Sequence, residues 1–164
     1  MSVAAIIIFC LVLFFGLIVV VGAPYLPTLT PQIRAAFELL GLQKGETILE
    51  LGCGDGKVLL LAAKQGYKAV GIELNPVLFL VALWRTRHVR SRVTVRWGNF
   101  WTMQWPPSDG VYVFLIDHFM PKLDEKMAVY GGKLASVTFR VPHKKSIHEK
   151  NGVFLYKYEK ALRK

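Results

Sequence analysis

Two hydrophobic patterns divide the chain. From Val3 to Gly22 the residues are apolar without interruption, and a run of about twenty such residues is long enough to cross a bilayer core. From Thr30 onward the apolar positions recur with the periods of helices and strands. Ile33, Ala36, Phe37 and Leu40 have helical spacing, with Thr30 as candidate N-cap, Pro31 at the first helical position and Gly41 as terminator. Thr47–Leu51 is a short buried strand, Lys57–Gln65 a helix and Ala69–Ile72 a second strand. Asn75 and Pro76 open a longer helix that runs to about Val89. Val93–Arg96, Gly110–Ile116, Leu134–Val141 and Val153–Tyr158 complete the strands, with a short helix from about Lys122 to Val129. The charged loop His143–Asn151 is expected to be a solvated hairpin tip. Strands alternating with helices predict an α/β domain built on a mostly parallel sheet.

The chemistry gathers where the first strand ends. Glu50-Leu51-Gly52-Cys53-Gly54-Asp55-Gly56 joins that strand to its helix, and the second strand runs into Glu73-Leu74-Asn75-Pro76. Glycines tolerate positive φ and let backbone approach a ligand closely. The helix that follows offers free N–H groups to a polar ligand end. An acid at the end of the second strand can accept hydrogen bonds from ribose hydroxyls, so the unit describes a nucleoside-binding crevice. A dinucleotide fingerprint would read G-x-G-x-x-G. Here the spacing is G-x-G-x-G with a carboxylate two residues ahead, which resembles motif I of the class I S-adenosylmethionine-dependent methyltransferases.

Composition sharpens the picture at three points. The 164 residues carry a formal charge of +10, and every charged side chain lies from Arg34 onward. That balance fits an anionic neighbour and, by the positive-inside rule, puts the C-terminal part on the cytoplasmic or mitochondrial matrix side of a membrane. The apolar run exceeds a usual signal-peptide core and lacks a positive n-region, although Val21-Gly22-Ala23 is a passable cleavage site; the preferred reading is a single-pass anchor. The two cysteines, Cys10 and Cys53, sit in the apolar run and the ligand loop, which suits a reducing compartment. Pro24 and Pro27 stiffen the linker that follows, so the domain is expected close to the bilayer. Within that linker Tyr25 and Thr28 are candidates for a lid over the crevice. Arg85, Arg87, His88, Arg90 and Arg92 near the end of the long helix either complement its dipole or dock on headgroups.

Two further places attract attention. Asn99, just past the third strand, lies where an adenine edge would be met, with Phe100 beside it. Asp117 and His118 end the central strand, where ligands of open α/β sheets bind. They are candidates to take a proton from an acceptor, or to cap the strand end. The four histidines are scattered without metal-ligand spacing, so no metal is expected. The chain shows no recognisable RNA or DNA module, and nucleic acid is not an expected partner.

Taken together, these pieces resemble the membrane-anchored lysine N-methyltransferases of the ATP synthase c subunit and the adenine nucleotide translocase, with their bacterial relatives. The resemblance rests on the apolar segment, Pro24-Tyr25-Leu26-Pro27-Thr28, Glu50–Gly56, Gly71–Pro76, Asn99-Phe100-Trp101, Val113–Leu115 and Pro121 with Leu123–Lys126. It covers most of the chain to about Pro142. It departs at Asp117-His118, where the mitochondrial members are expected to have small or apolar residues.

The resemblance implies a Rossmann-like class I methyltransferase sheet, mostly parallel with the last strand antiparallel, preceded by one transmembrane helix. Residues 1–23 would be the anchor, 24–41 a linker and capping helix, and 42–164 the methyltransferase domain. S-adenosyl-L-methionine would be held by Glu50, Gly52, Cys53, Gly54, Asp55, Gly56, Glu73, Leu74, Asn99, Phe100, Tyr25 and Thr28. The expected activity is methylation of a lysine on a membrane protein, with the lipid bilayer as partner through Val3–Gly22. Methylation of a lipid or quinone headgroup and cofactor binding without turnover are the alternatives.

Overall fold

The computed structural model describes residues 2–9, 12 and 28–159. Residues 3–9 are helical and exposed. No helix among the described residues is long and apolar enough to cross a membrane. Most of Val3–Gly22, the expected anchor, lies outside them, as do Tyr25 and the rest of the linker before Thr28.

The first helix of the domain, α1 (Thr30–Leu40), buries Ile33, Ala35, Ala36, Phe37 and Leu40 and ends on Gly41 at φ 61°. Its N-cap is Leu29 rather than Thr30, and no side chain caps it. Because Pro31 lacks an N–H, the first turn has one fewer donor to satisfy. Next come β1 (Thr47–Leu51), α2 (Lys57–Lys64), β2 (Lys68–Glu73), α3 (Pro76–Arg85), β3 (Val93–Trp97) and β4 (Gly110–Val113). Then follow α4 (Met120–Tyr130), β5 (Gly132–Val137), β6 (His148–Lys150) and β7 (Val153–Tyr158).

The seven strands among the described residues form one sheet in the order β3-β2-β1-β4-β5-β7-β6. β3, β2, β1, β4 and β5 run parallel. β7 is antiparallel to β5, and β6 is antiparallel to β7. Side chains alternate across the strands and make two cores. Ile48, Tyr112, Ala135, Val153 and Leu155 pack with α1, α2 and Ala82 of α3 on one face. Leu49, Leu51, Val111, Val113, Leu134 and Tyr156 pack with Leu123 and Met127 of α4 on the other.

Four further expectations need correction. The long helix stops at Arg85, where Thr86 turns its Oγ1 back to the Ala82 carbonyl at 2.8 Å, and a 3-10 turn takes over Arg87–Val89. β4 ends at Val113, and the chain enters a 3-10 turn at Asp117–Phe119 that leads directly into α4. β5 ends at Val137, because Thr138 adopts φ 70° and leaves the ladder. The loop expected to be a hairpin tip contains β6, held to β7 and tied to α1 through Lys150 Nζ and Glu38 at 2.7 Å.

Candidate functional site

β1 and β4 are neighbours, and the strand order runs outward from them in both directions. Beyond the carboxyl ends of such a pair lies the crevice where open α/β sheets take ligands. The glycine bend fills its rim. Gly52 N and Cys53 N both donate to the Ile72 carbonyl at 2.9 and 3.0 Å, turning the chain across the end of β2. Gly52, Gly54 and Gly56 adopt φ of 75°, 52° and 77°, the left-handed region that side-chain-bearing residues avoid. Gly56 is also sterically confined, since a Cβ there would stand 3.0 Å from Ala82 Cβ on α3.

Glu50 and Glu73 project from β1 and β2 on the same face of the sheet. Glu73 is buried and already engaged: its Oε2 accepts from Gly54 N and its Oε1 from Asn75 N, each at 2.7 Å. A carboxylate has about four lone-pair sites, so two hydroxyl donors can still be received. Glu50 is buried, and its Oε2 has no hydrogen-bond partner among the described residues. Burial, reinforced by the charges of Asp55 and Glu73, pushes its carboxyl well above the ordinary value. Tyr112, opposite Glu50 on β4, buries a hydroxyl that is likewise without a partner among them. Burial first and the Glu50 charge second raise that phenol. The Thr28 side chain is near enough to offset part of the shift without meeting hydrogen-bond geometry. A buried acid with an unpaired oxygen, facing an unpaired hydroxyl, is a cradle for a cationic hydrogen-bond donor.

Other candidates have more local work. Asp55 turns to α3, pairing with Arg85 at 2.6 Å and accepting from Lys57 N at 3.1 Å. It therefore fixes the bend against α3. Cys53 is a buried free thiol whose pKa burial raises, which makes it a packing group and a poor nucleophile. Thr28 is buried, and its carbonyl accepts from Lys57 Nζ at 2.8 Å. Asn99 caps the turn that follows β3, with Oδ1 accepting from Trp101 N at 2.9 Å. The Phe100 ring lies against Gly52. Leu74 is half-buried, and its carbonyl accepts from Trp97 Nε1 at 3.0 Å.

Asp117 and His118 are exposed on the turn after β4. Aromatic contacts connect that turn to the glycine bend: His118 to Phe119 at 5.2 Å, Phe119 to Trp101 at 5.9 Å, and Trp101 to Phe100 at 4.6 Å between centroids. Sequence reasoning assigned no role to Tyr112 or Lys126. Lys126 Nζ donates to the Trp101 carbonyl at 2.8 Å and holds this aromatic wall in place. The only signal for Tyr112 was a lone hydroxyl in an otherwise apolar strand. Among the described residues, no group of three or more His, Cys, Asp or Glu side chains could hold a metal ion.

This sheet is the one used by the S-adenosylmethionine-dependent methyltransferases. An RNA methyltransferase from Salinibacter ruber, solved with S-adenosyl-L-homocysteine, superposes with a TM-score of 0.74 at 23% identity, covering 81% of this chain and 92% of that one. An S-adenosylmethionine-dependent methyltransferase from Geobacter sulfurreducens gives 0.57 at 21% identity, over 67% and 48% of the two chains. Those likenesses establish the fold. The model of the ANTKMT methyltransferase domain matches residues 50–148, and the chain belongs to that family. The ATP synthase c-subunit lysine N-methyltransferase of Xenopus laevis is 31% identical over 110 residues, covering 63% of this chain and 46% of that protein. A protein-lysine N-methyltransferase of Saccharolobus islandicus is 29% identical over 126 residues, 72% of this chain and 78% of that one. The chain spans about half the length of the ATP synthase c-subunit methyltransferases it matches.

Proposed function

We propose that the chain is an S-adenosyl-L-methionine-dependent protein-lysine N-methyltransferase that works beside a membrane on a membrane-protein lysine. The observation that carries the reading is the pair of buried acids on one face of the sheet, Glu50 with an oxygen unpaired among the described residues and Glu73 with capacity for two more donors. Family membership and the lysine methyltransferases among the relatives support the acceptor class. The apolar run Val3–Gly22 supports the membrane, with the domain on the cytoplasmic or matrix side.

The residues fit the cofactor. Glu50 and the Tyr112 hydroxyl would receive its methionine ammonium, the glycine bend would allow close backbone approach, Glu73 would accept the ribose hydroxyls, and Asn99 and Phe100 would meet the adenine. When bound, the cofactor supplies an activated methyl on a sulfonium. What remains for the protein is positioning and deprotonation. A lysine amine has an ordinary pKa near 10.4, so reaching the neutral nucleophile at neutral pH costs roughly 4–5 kcal/mol. An apolar entrance depresses that pKa, and the Phe100, Trp101 and Phe119 rings supply one. Asp117 or His118, exposed at its mouth, would pass the released proton to solvent.

Incubation of the purified chain with native membranes and methyl-labelled cofactor tests the proposal. The label is expected on a lysine of a membrane protein, located by mass spectrometry. Label in the organic extract would mean a lipid or quinone acceptor, and cofactor binding with no label transferred would leave a non-catalytic binder.

A further inference from the structure

α3 is the most apolar helix of the domain and one of the least covered. Its sequence, Pro-Val-Leu-Phe-Leu-Val-Ala-Leu-Trp-Arg, contains a single buried residue, Ala82. Val77, Leu80 and Trp84 are 46%, 62% and 65% exposed. Their spacing of three and four puts them on one face of the helix. Trp97, at the end of edge strand β3 and 61% exposed, lies at the N-terminal end of this face, since its indole N–H is bonded to the Leu74 carbonyl just ahead of α3. A contiguous apolar face of this kind marks an interaction site.

The charge around it selects the occupant. From Leu74 to Ser108 the chain carries Arg85, Arg87, Arg90, Arg92 and Arg96 and not one Asp or Glu. Arg85 is consumed by Asp55. Arg87 lies over the Trp84 ring at 4.3 Å, Arg90 is exposed just ahead of β3, and Arg96, also exposed, points to the other face of this edge strand. Two copies meeting through this face would bring like charges together. An acyl layer under phosphate headgroups matches it in both respects: aliphatic and indole groups reach the interface while arginines extend to the phosphates.

We propose that α3 and Trp97 form a docking face for an anionic lipid bilayer, laying the β3 edge of the domain on the membrane. This contact is separate from the Val3–Gly22 run and from methyl transfer, and its test does not read activity. The full chain is placed in vesicles of phosphatidylcholine and phosphatidylglycerol with brominated acyl chains, and tryptophan emission is recorded. The emission is expected to be quenched, less so without phosphatidylglycerol. The double variant Trp84→Phe/Trp97→Phe should lose most of the quenchable signal. Val77→Glu/Leu80→Glu should lift the quenching of Trp84 while the circular dichroism spectrum and thermal midpoint stay as in the parent. Three results would overturn the proposal: quenching unchanged in the double Phe variant, quenching indifferent to anionic lipid, or cross-links from position 84 to a second copy or to the chain's own N-terminal segment.

Discussion

Glu50 shows how one side chain links stability to ligand. In the folded protein its pKa is raised, first by burial and then by Asp55 and Glu73. An acid with a raised folded pKa contributes stability that is fully present below its ordinary 4.5 and is lost as pH climbs through the folded value. The ligand-free protein is therefore expected to be more stable at about pH 5 than at about pH 7.5 as far as this group is concerned. Glu50→Gln should raise stability at the higher pH by on the order of 1 kcal/mol, because the charge is gone but a buried amide remains. The same change should weaken cofactor binding, and melting curves at both pH values with titration calorimetry would check both effects. Glu73 is the opposite case. Glu73→Ala removes the acceptor for two N–H groups and should cost roughly 1–3 kcal/mol of stability. Two hydrogen bonds to a charged group are worth roughly 1.5–3 kcal/mol each, so cofactor affinity should fall about a hundredfold or more. The positions of both acids could be read from the glycine spacing. The engagement of Asp55 with Arg85 could not, because its partner arrives on a helix that the loop sequence says nothing about. Nor could the unpaired hydroxyl of Tyr112, since periodicity reports burial and not hydrogen-bond satisfaction.

Among the elements, α3 is where the site depends most on local geometry. Asn75 Oδ1 accepts from Val77 N and Leu78 N at 2.9 and 3.3 Å, and Asn75 N donates to Glu73. The cap thus orients both the helix and the acid before it. Asn75→Ala should cost about 1 kcal/mol in urea unfolding, with a measurable drop in cofactor affinity, whereas Asn75→Asp should retain most of both. Gly56→Ala combines a left-handed conformation worth roughly 1–2 kcal/mol of strain with a Cβ against Ala82. It should be the more damaging of the two, visible as a lower thermal midpoint and loss of cofactor binding. The elements expected from strong patterns lie close to where they were expected: β1 has the same bounds, α1, α2 and β3 differ by one residue at one end, and β2 is longer by one residue at each end. β6 was missed because His148, Glu149 and Lys150 are all exposed and have no alternation. They are a strand only because β7 lies beside them. Similarly, β4 stops short because its ladder with β5 covers Val111–Val113 alone, which a continuous apolar run cannot reveal.

At the scale of the whole molecule, the site is a stored electrostatic cost that a cationic ligand can relieve. Three acids, Glu50, Asp55 and Glu73, converge at the carboxyl edge of β1 and β2 in a chain whose net charge is +10. Only Asp55 has a charged partner among the described residues. An ammonium seated at Glu50 would lower its carboxyl toward the ordinary range, as any opposite charge does. Binding near neutral pH should then release protons from the protein. Titration calorimetry in buffers of different ionisation enthalpy would show it as a slope in observed heat, and Glu50→Gln should flatten that slope while leaving residual binding. Saturation at about a hundred times the dissociation constant should stabilise the domain by about 2.7 kcal/mol, and the acid preference of the free protein should shrink in the complex. A complex that kept the full acid preference would place the ligand's cation away from Glu50, and the methionine end would have to be sought elsewhere on the bend.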